Sequence, residues 1–64
     1  MRVRFNGEHV IVASGGFFAM FDSTHNRALV CVTDLLGYAV YAPDWAAEAH
    51  VAAMNYPLHY GYCQ

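Results

Sequence analysis

His59 and Cys63 are the only His/Cys pair in this sequence close enough together to match the ligand spacing of a zinc site. Such a site needs a further ligand, and His25 or His50 is the candidate, since His9, His25 and His50 each stand alone in the sequence. That reading makes the chain a small metal- or ligand-binding module. The plainer reading is an exposed His and a thiol on a C-terminal tail, with no catalytic residue and no cofactor. Nucleophilic chemistry finds even less support. Cys31 lies in the apolar run 28–32 and reads as a small core hydrophobe, while Ser14 and Ser23 sit in turn-forming stretches. Glu8 and Asp44 have no carboxylate companion at a useful spacing. The expectation is not an enzyme.

Residues suited to binding are more numerous. Arg2 and Arg4, with His9, make the one cationic patch. Tyr38, Tyr41, Tyr56, Tyr60 and Tyr62 with Trp45 supply the side chains that dominate protein-binding hot spots, because they bury area at low entropic cost and keep a polar handle. In an extended tail Tyr56, Leu58, Tyr60 and Tyr62 fall on one side, alternating with Pro57, His59 and Gly61. Two or three of these rings complete the core; the remainder are candidates for a partner surface.

These groups have to be positioned by a chain whose first part, 1–42, reads mostly as strands. The alternation in 2–5 followed by Asn6-Gly7 predicts a hairpin with those two residues as a type I′ loop. That register sets Phe5 opposite Glu8, Arg4 opposite His9 and Val3 opposite Val10. Val3, Phe5, Val10 and Val12 then share one face, and Arg2, Arg4, His9 and Ile11 the other. Ser14-Gly15-Gly16 turns the chain into a third strand at 17–21, and 22–26 is a polar loop. Residues 27–33, apolar at most positions, predict a central fourth strand. A fifth strand at 38–42 competes with a short helix starting at Asp34. Pro43-Asp44 announces a helix over 44–55, with Asp44 accepting from the free N–H groups of its first turn and Pro57 stopping it. Residues 56–64 form an aromatic tail. The expected fold is therefore α+β, a single small domain over 1–64, with an antiparallel sheet of four to five strands and one helix packed on one face.

Composition bounds what such a domain can do. A formal charge of -2, with three Arg and no Lys, removes the clustered cations that nucleic acid or an anionic membrane would need. A charged fraction of 12% is too low for a polyanionic DNA mimic, and 58% hydrophobic residues exclude disorder. The stretch 9–21 contains no Asp, Glu, Lys or Arg but falls short of the roughly 18 residues that span a bilayer. The expectation is a soluble, cytoplasmic protein. At 64 residues, apolar burial and chain entropy nearly cancel. Residues 45–54 carry no continuous polar stripe, only Glu48 and His50. Both features predict association, with a second copy or with a partner.

A short reading frame from Met1, an α+β layout, no catalytic motif and one Trp, five Tyr and four Phe are the traits at hand. In these the chain resembles the small single-domain phage and mobile-element proteins that disable bacterial defences, of which anti-CRISPR inhibitors are the best-known group. The resemblance covers the whole chain and no motif, so it carries over no functional residue. It implies a non-enzymatic protein that inhibits a larger protein or nucleoprotein effector complex by steric occlusion in the host cytoplasm. Many such inhibitors are strongly acidic, and this chain departs from that pattern. Contacts through Arg2, Arg4, Tyr38, Tyr41, Trp45, Tyr56, Tyr60 and Tyr62 are expected in place of mimicry of DNA charge.

Overall fold

The computed structural model describes residues 1–57. Four strands, β1 (Arg2–Phe5), β2 (His9–Ser14), β3 (Phe17–Asp22) and β4 (Leu29–Asp34), precede one helix, α1 (Pro43–Met54). The strands form an antiparallel sheet in chain order, β1-β2-β3-β4. The helix lies over β2 and β3. This is the expected α+β architecture with four strands.

The two hairpins show how local chemistry sets register. Gly15 and Gly16 take φ of 60° and 90° between the paired Ser14 and Phe17. This is the two-positive-φ loop that follows the right-handed twist of the strands. The first hairpin differs from the I′ expectation. Phe5 pairs with Val10, Arg4 with Ile11 and Val3 with Val12, so the connection is Gly7-Glu8. Only Gly7 there has a positive φ, 101°. The Asn6 side-chain oxygen accepts from the backbone N–H groups of Glu8 at 2.9 Å and His9 at 2.8 Å. Asn6 thus does more as a turn-opening acceptor than as a left-handed loop residue, and the register follows it. Each partner moves by two residues, so the face assignments survive, but His9 no longer lies opposite Arg4.

Beneath the helix, Val10, Val12, Ala19, Phe21, Val32, Ala49 and Ala53 form the buried core, with Val3, Val40, Trp45, Ala46, Ala52 and Tyr56 packed around it. Ala49 and Ala53 are fully buried, and side chains this small let the helix come close to the sheet. Phe17 and Trp45 pack ring against ring at 5.2 Å. The helix begins on Pro43, whose missing N–H costs nothing in the first turn. Ala42 is the N-cap and makes no side-chain capping bond, so Asp44 lies inside the first turn. Asp44 contributes negative charge near the helix N-terminus; it is not the cap expected from sequence.

Three further expectations are corrected. The fourth strand is an edge strand, and Leu29, Val30 and Cys31 on it are exposed. Its apolar run reads as central only if another strand pairs beyond it. The 38–42 segment supplies a single bridge, Thr33 to Ala39, with the Val40 N–H donating to the Val32 carbonyl at 3.1 Å. The alternative helix from Asp34 does not form either. The Asp34 carboxylate accepts from the N–H groups of Leu36 at 2.9 Å and Tyr38 at 3.0 Å, which winds 34–38 into a tight turn. Arg27, expected to open the fourth strand, is instead a buried loop residue at φ 48°. Its Nη1 donates to the carbonyls of Ser23 at 2.7 Å and Thr24 at 3.1 Å. Its Nε reaches the Ala53 carbonyl at 3.3 Å and its Nη2 the Tyr56 carbonyl at 3.1 Å. A guanidinium at the helix C-terminus meets the orphan carbonyls and the negative end of the helix dipole together.

Candidate functional site

With one helix for a two-faced sheet, no other element among the described residues covers the second face. The observed registers align two rows of side chains across all four strands. One row is Arg4, Ile11, Met20 and Cys31; the other is Arg2, Ala13, Phe18 and Thr33. Together with backbone-flanking Val3 and Ala19 they line a groove of about 500 Å³. That volume falls within the roughly 300–1,000 Å³ of small-molecule sites. Arg2 and Arg4 stand on the β1 edge, both exposed, and among the described residues no lining residue is acidic. Charged side chains on an edge strand also discourage pairing with another chain.

A second surface is the connection from β4 to α1. Leu35, Leu36, Tyr38 and Tyr41 are 68%, 81%, 69% and 92% exposed. The connection leaves the sheet at Asp34, whose register partner is Phe17, the residue following the glycine loop. The Asp34 turn holds its first residues, and Gly37 takes a φ of 91°. Four large side chains are thereby carried in water by a loop with a defined backbone.

The residues expected to form one partner surface are thus divided. Arg2 and Arg4 belong to the groove, and Tyr38 and Tyr41 to the loop. Trp45 is half-buried against Phe17, and among the described residues its indole N–H is buried without an acceptor. Tyr56 is half-buried beside the core, its carbonyl held by Arg27. Tyr60 and Tyr62 lie outside the described residues, as do His59 and Cys63. Among the described residues no group of three or more His, Cys, Asp and Glu is placed to hold a metal ion. His50 has a structural role: its Nε2 lies 3.0 Å from the Asn26 carbonyl and its ring stacks on Phe21 at 5.5 Å. Cys31 is an exposed free thiol on the groove, with Met20 as its β3 neighbour, and not a core residue.

Sequence reasoning missed the groove floor, Leu35, Leu36 and the Arg27 clip. A signal for the floor was present. Alternation puts Ile11 with Arg2 and Arg4, and a single helix can cover only the opposite face. No helix among the described residues is long and apolar enough to cross a membrane. No protein-family model, no curated protein and no solved structure matches the chain.

Proposed function

We propose that the chain is a non-enzymatic binding protein that inhibits a larger protein or nucleoprotein target by steric occlusion. In this reading it is a counter-defence factor of the anti-CRISPR kind, working in the cytoplasm of the host cell. The observation that carries the proposal is the connection from β4 to α1, with Leu35, Leu36, Tyr38 and Tyr41 mostly in water. Exposed apolar clusters of this sort mark interaction sites, and aromatic residues on a structured loop bind at low entropic cost. A loop fixed at Asp34 and at Pro43 changes little on docking, which favours obstruction of a preformed surface.

The test is a plaque assay in hosts that each carry one CRISPR effector targeting the infecting phage. Expression of the chain is expected to restore plaquing against one effector class. Leu36→Ser with Tyr41→Ala is expected to abolish the effect, each substitution removing roughly 2 kcal/mol of binding. Restoration against no effector, or full activity in the double variant, overturns the proposal.

A further inference from the structure

We propose that the open face of the sheet binds a single-chain amphiphilic carboxylate, an anion of the fatty-acid class, lying across the strands with its head between Arg2 and Arg4. This site is separate from the loop that carries the proposed function, and neither depends on the other.

The groove has a direction. Both rows begin at a guanidinium on β1, pass over Ile11 and Met20 or Ala13 and Phe18, and end at Cys31 or Thr33 on β4. Three inter-strand spacings of about 4.8 Å make a floor about 14 Å long, comparable to the extended chain of dodecanoate. Arg2 and Arg4, two residues apart on one strand, project from the same face about 7 Å apart. Two flexible guanidinium groups at that separation can converge on one carboxylate. Among the described residues no acid lines the groove to neutralise them.

Charge also selects among occupants. Asp22, opposite His9 and two residues beyond Met20, is the strand acid that shares the open face, whereas Asp34 pairs with Phe17 on the helix side. In a face-to-face pair centred on the floor, a two-fold axis across or along the strands sets β1 over β1 or β4 of the other copy. Arg2 and Arg4 would then meet each other's charges, or Cys31 and Thr33, and not Asp22. Those two arrangements leave both cations without an anion. A peptide lying across the strands would lay backbone N–H and C=O groups on Ile11, Phe18 and Met20, which offer no side-chain partner. An acyl chain has no such groups to satisfy.

Isothermal titration of the full chain with sodium dodecanoate, below its micellar concentration and at low salt, tests the site. One saturable site is expected. Dodecyltrimethylammonium is expected to bind about tenfold more weakly or worse, and Arg2→Ala with Arg4→Ala to weaken dodecanoate by about tenfold with the far-UV spectrum unchanged. Met20→Asp, which puts charge on the floor without touching the arginines, is expected to abolish binding. Absence of saturable binding overturns the site, as do equal affinity for the cationic amphiphile and several molecules bound per chain with loss of the far-UV spectrum. So does light scattering that finds a dimer which Met20→Asp dissolves, because the face then belongs to a second copy. Stronger competition by a Glu/Leu-alternating peptide would assign it to a protein segment.

Discussion

On β2 and β3 the covered face presents Val10, Val12, Ala19 and Phe21, and the open face presents Ile11, Ala13, Phe18 and Met20. The two sets differ little in size or polarity, yet the first is fully excluded from water and the second lines a groove. What separates the faces is β1. Arg2 and Arg4 stand on the open side, and seating the Ala49–Ala53 face of the helix there would strip water from two guanidinium groups. On the other side β1 offers Val3, Phe17 meets Trp45 of the helix, and Val32 and Val40 join the same core. Two charges on an edge strand thus make the open face the costlier of the two to bury.

The sharpest way to break the comparison is one substitution on each face. Phe21→Ala opens a cavity under α1 and removes the ring on which His50 stacks. It should cost about 3–5 kcal/mol. A domain this small has little more than that in hand, so the far-UV spectrum at room temperature should collapse toward that of an unfolded chain. Retention of a cooperative thermal transition near that of the parent would show that the helix-side face is not the core.

Next in size is the tie that holds the helix on its face. Arg27→Met keeps the bulk and removes the donors that reach the Ser23, Thr24, Ala53 and Tyr56 carbonyls. A loss of about 2–3 kcal/mol in chemical denaturation is expected, because buried carbonyls are left without donors. Arg27→Lys should recover only part of it, since an ammonium cannot reproduce the planar fork. Equal stability of the Lys variant and the parent would reduce Arg27 to a point charge. Smaller again is Gly16→Ala, which forces a side chain into φ 90° and should cost about 1–2 kcal/mol. If it is neutral by denaturation, the second hairpin does not depend on a two-glycine loop.

How much of this could be read beforehand divides along physical lines. Alternation in 2–5 and 10–12 fixed which residues share a face, and Gly15-Gly16 fixed a hairpin, because both depend on neighbours in sequence. Pro43 located the helix start within one residue for the same reason. Arg27 gave no such signal: its partners on Ala53 and Tyr56 are 26 and 29 residues away, and a lone Arg before an apolar run looks like a strand start. The edge position of β4 was hidden because the apolar residues of 29–31 look the same whether a fifth strand covers them or water does. Of the candidate site, Arg2, Arg4, Tyr38 and Tyr41 were visible as residue types. Their separation into a groove and a loop was not, since it depends on where the helix settles and on the turn made by the Asp34 carboxylate.

The smallest expected effect is the counterpart of the largest. Phe18→Thr and Met20→Thr replace apolar side chains on the open face with β-branched residues that suit a strand. Neither position lies under the helix, and Phe18 is already exposed. Phe18 is 38% exposed and Met20 half-buried, so part of each side chain is already in water and each change should cost no more than about 1 kcal/mol. The comparison to make is with Ala19→Thr between them, which pushes a hydroxyl and a methyl into a buried position beneath α1 and should cost about 1–3 kcal/mol. Three neighbouring positions on one strand should therefore alternate tolerant, intolerant, tolerant in denaturant midpoint. A uniform cost across all three would mean that the open face is packed against something in solution. A scattering mass of two chains would then identify the cover as a second copy and remove the groove as a free site.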